Sequence, residues 1–170
     1  MLENFVAYVV HNYGPIKGKK AFQKIFYFLT EMGIPTNLKY SLYHYGPYSS
    51  KLDTQSKALE NVGAIHMEKE GYGYRITEGE WTDNYANTSD INSYARKIDE
   101  IIGKIPINNP LKLELYSTTH YASNVIREIY NITDVSEVVS EVKSIKKDKF
   151  SEEEIIQAYQ YLKEIRFIED

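Results

Sequence analysis

Apolar residues recur with helical spacing through the first part of the chain. Leu2, Phe5, Val6, Val9 and Val10 predict a helix over 2–12, closed by Gly14-Pro15. From Gly18 to Met32, Phe22, Ile25, Phe26, Leu29 and Met32 follow the i, i+3, i+4, i+7 pattern of a buried helix face, and Gly33 is a natural stop. Lys20, Gln23, Lys24 and Tyr27 fall on or near the opposite face, which is expected in solvent. The period then drops to two. Leu38, Tyr40, Leu42 and His44 share one face of a strand over 37–45, and Gly46-Pro47 has turn chemistry. Ser49 is the expected N-cap of a helix reaching about Val62, which Gly63 ends. AIHMEK and YGYRIT, joined around Glu70-Gly71, predict a β-hairpin.

Beyond a polar linker at 80–90, anchored by the sole tryptophan Trp81, the pattern is helical. Ile91, Tyr94, Ile98, Ile101 and Ile102 mark a helix over about 90–104, and Pro106 and Pro110 bracket a break. Leu111, Leu115, Thr118 and Thr119 lie on a helix over about 110–123 that 124–130 continues. Thr133 or Asp134 starts another, to about Ile145, with Val135, Val138, Val139 and Val142 inward. Ser151 with Glu154 is a capping box for the last helix, to about Arg166. Helix, helix, strand, helix and hairpin is the order of a winged helix. The expected fold class is therefore α+β, mainly helical: a winged-helix-like core with a carboxy-terminal helical extension. Residues 1–80 would form the core domain and 81–170 an extension packed on it, or the whole would be one domain.

Charge changes this picture modestly. The net charge is −4, but residues 1–80 hold nine Lys/Arg against eight Asp/Glu, and 81–170 hold eleven against sixteen. Lys17, Lys19, Lys20 and Lys24 form a basic patch with no intervening acid. Sixteen tyrosines suit a core with many half-buried positions, or an interface. The chain has no cysteine, which excludes disulfides and thiolate metal sites and fits an intracellular protein. No apolar run approaches the roughly 18 residues of a membrane span. The start, MLENFVAYVV, carries an acid where a signal peptide wants basic residues. A soluble, cytoplasmic protein with no membrane partner is expected.

Catalytic signals are weak. His11, His44, His66 and His120 have no metal-ligand spacing, and GxxxxGK[ST], GxGxxG and GxSxG are absent. His44 reads as a partly buried strand residue, and His120 as a packed helix residue with Thr118 or Thr119 as local partners. A site uniting His44 with His120 stays open at this level. Gly71-Tyr72-Gly73-Tyr74 is a wing turn, because no helix follows to supply the dipole of a phosphate cradle. Glu152, Glu153 and Glu154 oppose a helix dipole, and KSIKKDK (143–149) reads as a solvated helix end. No catalytic residue, metal or cofactor is expected, so an enzyme ranks lowest.

The helix over 49–62 carries the functional expectation. Leu52, Leu59 and Val62 define its buried stripe; Ser50, Thr54, Lys57 and Asn61 lie opposite, flanked by Lys51 and Ala58, with Asp53 and Glu60 on the other flank. Short polar and basic residues outward, with acids off the phosphate path, suit a groove-reading helix. The pieces FQKIFYFLTEMGI (22–34), YSLYHYGPYSSKL (40–52), LENVGAI (59–65), ELYSTTHYAS (114–123) and VKSIKKDKFSEEEIIQAYQYL (142–162) resemble the YwgA-type family of bacterial and archaeal proteins. More distantly, the Q-K-(aliphatic)-x-Y-F helix and Y-G-P turn are similar to the Panacea domain of SocA-like antitoxins. The resemblance implies a winged-helix-like core with helical additions and a role in regulation or protein binding; it carries over no catalytic residue. Sixteen residues between Met32 and Ser49 depart from the 3–4-residue turn of a helix-turn-helix.

The first expectation is a non-enzymatic, homodimeric regulator or antitoxin-like protein that contacts double-stranded DNA. Its contacts would be Ser50, Lys51, Thr54, Lys57 and Asn61, then Lys69, Tyr72 and Arg75 in the wing, and Lys17, Lys19, Lys20 and Lys24. The rival is a protein-interaction module on the same scaffold without DNA, favoured by the net charge and the tyrosines.

Overall fold

The apolar stripe over 18–32 understates how deeply that helix lies. In the computed structural model, which describes residues 1–43, 46–131 and 134–169, every residue from 21 to 29 is buried. This helix, α2 (Lys19–Glu31), follows α1 (Leu2–Tyr13) and the two-residue strand β1 (Ile16–Lys17). The chain continues through β2 (Ser41–Tyr43), β3 (Gly46–Tyr48), α3 (Ser50–Asn61), β4 (His66–Glu70) and β5 (Gly73–Thr77). Then come α4 (Thr82–Ala86), α5 (Ser89–Asn92), α6 (Ala95–Ile102), α7 (Pro110–Tyr130), α8 (Val135–Lys146) and α9 (Glu152–Glu164). The fold is α+β and mainly helical.

Two small antiparallel sheets accompany the helices. In the first, the strand order is β1-β5-β4, with Ile16 opposite Ile76 and Met67 opposite Ile76. Ile16 and Ile76 are buried, and the alternate row of Lys17, Arg75 and Glu68 turns away from them. Apart from the β2–β3 pair, the elements of this part follow in the order α1-β1-α2-α3-β4-β5, with the β4–β5 hairpin directly after α3. The second sheet, β2–β3, is inserted between α2 and α3, and accounts for the long spacing between those helices.

Several boundaries differ from the sequence expectation, each for a packing reason. Alternation over 34–42 is real, since Ile34, Thr36 and Leu38 are buried, but among the described residues of 37–45 only 41–43 finds a partner strand. Gly46-Pro47 is itself in a strand: Pro47 pairs with Leu42 and Gly46 with Tyr43. The polar segment 80–90 forms α4 and the start of α5, and the side of α1 that α4 covers gives it a surface to fold on. Residues 90–104 split at Ser93-Tyr94, whereas 110–130 form one unbroken helix. Thr133 lies outside the described residues; Asp134 caps α8, its side chain accepting from Ser136 N–H. The Ser151–Glu154 capping box forms as expected.

α7 packs along α2, and α8 and α9 pack on α7. Side chains from both halves of the chain therefore enter one apolar cluster, from Phe5 and Phe22 to Leu113, Ile155 and Phe167. That is why α2 is buried all round. Its second face, expected in solvent, lies under α7 and β3.

Candidate nucleic-acid interface

α3 owes its position to residues at both ends. The Ser49 hydroxyl accepts the Leu52 N–H at 3.2 Å. The Gln23 side chain clamps the Ser49 peptide, donating from Nε2 to its carbonyl at 2.9 Å and accepting its N–H at 2.8 Å. At the other end Gly63 N–H reaches Glu60 O and Ala64 N–H reaches Leu59 O, a Schellman closure with Gly63 at φ +76°. Leu52, Ser56 and Leu59 face inward. Val62 does not belong to the buried stripe, because it is 46% exposed.

Ser50, Lys51, Thr54, Lys57 and Asn61 are all exposed, so none of the following helices covers this face. The flanking acids are engaged. The Tyr48 hydroxyl donates to Asp53 Oδ2 at 2.7 Å. Glu60 Oε2 accepts Met67 N–H at 2.8 Å, and its other oxygen lies 3.7 Å from Lys57 Nζ. Glu60 thereby ties α3 to β4 and offsets part of the Lys57 charge. Lys51 and Lys57 against Asp53 and Glu60 leave α3 formally neutral.

Basic residues supplement it from the sheet. Lys17 pairs across to Arg75, and Lys19 Nζ lies 4.4 Å from the centre of the Tyr74 ring, which is opposite Lys69. Paired residues in a sheet share a face, so Lys69, Tyr74 and Lys19 sit on one side of the hairpin and Lys17 and Arg75 on the other. Tyr72 is fully exposed at the tip. Arg75 is half-buried, its Nε without a hydrogen-bond partner among the described residues. The structure thus gathers Lys17, Lys19 and the hairpin residues Lys69, Tyr72 and Arg75 near one sheet, but divides the hairpin cations between two faces.

Lys24 is the exception. It is 3% exposed, buried where α2 meets β3 and α7, and is not part of any surface patch. Burial, followed by the nearby Lys146 charge, pushes its ammonium down to about 8. Gln23, Lys24 and Tyr27 therefore all leave the solvated face they were assigned. Gln23 holds α3, and the Tyr27 hydroxyl donates to His120 Nδ1 at 2.7 Å.

His120 is packed, as expected, but its partners are not Thr118 or Thr119. Its Nε2–H donates to the Phe167 carbonyl at 2.8 Å, which fixes the tautomer and leaves Nδ1 to accept from Tyr27. Burial holds the imidazole down to about 4. A neutral, doubly bonded histidine in the core acts as a strut joining α2, α7 and the chain's carboxy-terminal segment. His44 lies outside the described residues. Among the described residues no cluster of three or more His, Asp or Glu could hold a metal, and no helix is long and apolar enough to cross a membrane.

No family model matches the chain. It is 32% identical over 159 residues to "Uncharacterized protein YwgA" of Bacillus subtilis (strain 168), a match covering 91% of this chain and 90% of that one. The chain belongs to the YwgA family. At that coverage the YwgA likeness takes in residues of both the amino-terminal half and the helices after it.

Proposed function

We propose that the protein is a winged-helix regulator that contacts duplex DNA through the outer face of α3, with the wing and the amino-terminal end of α2 on the flanking phosphates. One observation carries this reading: the outer face of α3 is uncovered, and its two flanking acids are engaged by Tyr48, Met67 N–H and Lys57. Ser50, Thr54 and Asn61 stand outward beside these engaged carboxylates, a short polar surface that suits a groove. Lys51 would lie at the groove edge; Lys17, Lys19, Lys69 and Arg75 would neutralise backbone phosphate. Lys24, being buried, is not included. The antitoxin-like role, the absence of catalysis and a homodimer matching a two-fold DNA site belong to the same proposal.

Fluorescence anisotropy against random duplex DNA tests it. Binding should be measurable at 50 mM salt and fall steeply toward 200 mM, by roughly tenfold for every two or so phosphates neutralised. The Lys51→Glu/Lys57→Glu double variant should abolish it. No binding at low salt, or unchanged binding in that variant, would overturn the reading.

A second reading rests on a separate feature. Val62 is exposed at the end of α3, and Trp81, half-exposed, lies against Gly63, its backbone N–H donating to the Gly63 carbonyl at 2.9 Å. This apolar pair would anchor a protein partner, and a Trp81→Ala variant should then lose that partner while retaining DNA affinity.

A further inference from the structure

The amino-terminal end of α2 brings aromatic rings from two sheets to one lysine. Lys19 Nζ lies 4.4 Å from the centre of the Tyr74 ring on β5. The same lysine lines a cavity of about 220 Å³, with Tyr43, Gly46 and Tyr48 of β2–β3 and Asp53 of α3 among its other walls. Tyr43 and Tyr48 meet edge to face there, their ring centres 4.8 Å apart. Tyr43 is 53% exposed and Tyr74 38%, so both rings stay open to solvent instead of joining the core.

The β4–β5 hairpin sorts its charges by face. Side chains alternate along each strand and paired residues share a side, so Lys69 and Tyr74 lie together on the side of Lys19. Glu68, Glu70 and Arg75 go to the other side, where Arg75 is opposite Glu68. On the Tyr74 side neither strand contributes an acid. The cavity is balanced differently. Lys19 at one wall and Asp53 at another disfavour a full charge of either sign inside it, and Asp53 Oδ2 already accepts the Tyr48 hydroxyl at 2.7 Å. Such walls suit a neutral planar ring with N–H edges, since tyrosine offers ring faces and the carboxylate has further acceptor positions. The volume falls below that of a drug-sized site and suits one ring system.

We propose that this surface binds single-stranded nucleic acid, with one unpaired base seated among Tyr43, Tyr48 and Asp53, a second stacked on Tyr74, and Lys19 and Lys69 on the phosphates beside them. Stacking on aromatic side chains tolerates any sequence, because every base has a π-face. Two base positions joined by one lysine, the second outside the cavity, fit a strand better than a lone nucleotide. A duplex keeps its bases paired and stacked, so none can enter the cavity. The site does not use the outer face of α3 and does not rest on the duplex reading, although Lys19 and Lys69 would serve both.

A thymidine oligomer of about 12 nucleotides, carrying 2-aminopurine near its centre, is the probe for the full chain at low salt. Saturable binding that quenches the 2-aminopurine emission is expected. An abasic strand of equal length keeps the phosphates but loses the stacking, and should bind at least about tenfold more weakly. Tyr43→Leu and Tyr74→Leu should each weaken the oligomer by about fivefold to tenfold, whereas Tyr43→Phe and Tyr74→Phe keep a stacking ring and should bind like the parent. Both positions are exposed, so all four variants should melt like the parent protein. A uridine oligomer in the same titration tells RNA from DNA as the strand bound, and saturable binding of either upholds the proposal. Thymidine monophosphate should compete at least about a hundredfold more weakly than the oligomer. The Lys51→Glu/Lys57→Glu variant should still bind and quench, which separates this site from the duplex reading. No saturable binding of either oligomer, equal affinity for the abasic strand, leucine variants that match the phenylalanine ones, equal competition by the mononucleotide, or loss of the strand in the Lys51→Glu/Lys57→Glu variant would each overturn the proposal.

Discussion

His120 shows how a single side chain sets a pH limit on the fold. In the unfolded chain its imidazole takes up a proton near the ordinary value, about 6.5; in the folded protein burial delays this to about 4. Below 6.5 the unfolded state therefore binds more protons, and stability falls with acidification until about pH 4. The loss should reach about 3 kcal/mol between those limits. Urea denaturation at pH 7 and pH 4.5 checks this, and His120→Gln should be less stable at pH 7 but lose much less between the two. Equal pH slopes in the two proteins would show that the proton is taken up elsewhere. Gly46 acts at the same scale through backbone geometry. It sits at φ +103°, and a β-carbon there would lie 2.8 Å from Thr118 Oγ1, so the glycine brings β3 up against α7.

Among the elements, α3 is fixed at its ends more than along its length, because few of its residues are buried. Its stability should depend on Ser49 and Gly63. Ser49→Ala removes the acceptor for Leu52 N–H and should cost about 1 kcal/mol. Gly63→Ala places a side chain at positive φ, with its β-carbon 2.6 Å from Trp81 Cδ1, and should cost about 1–3 kcal/mol. Chemical denaturation gives both values, and losses below about 0.3 kcal/mol would mean that the Gln23 clamp alone positions the helix. DNA affinity, if α3 carries it, should fall with the Gly63 change although no contact residue is altered.

For the molecule as a whole, the burial of α2 decides whether residues 1–80 stand alone. Gln23, Lys24 and Tyr27 are buried by elements that include α7, and Tyr27 bonds to His120. A fragment ending at residue 80 would expose this face and leave Lys24 and Tyr27 without their surroundings. It should lack cooperative thermal unfolding by far-ultraviolet circular dichroism, whereas the full chain should melt in one transition. A folded 1–80 fragment would instead establish two separable domains.

Most elements were legible in the sequence because they rest on local physics. Ser49, Ser151 with Glu154, and Gly63 mark helix ends through hydrogen bonds within a few residues, and the 3.6 and 2.0 periods mark faces. The main helices and the β4–β5 hairpin followed from these signals. What lay beyond local pattern was which faces meet. A helical wheel places Lys24 opposite Phe22 and Phe26, but cannot say that a helix ninety residues later covers it. The same applies to Gln23 reaching the Ser49 peptide, to Tyr27 meeting His120, and to Gly46-Pro47 pairing as a strand. The sequence by itself determined the helices, their caps and the hairpin. Only tertiary structure decided that the polar side of α2 is interior, since burial depends on what packs from afar.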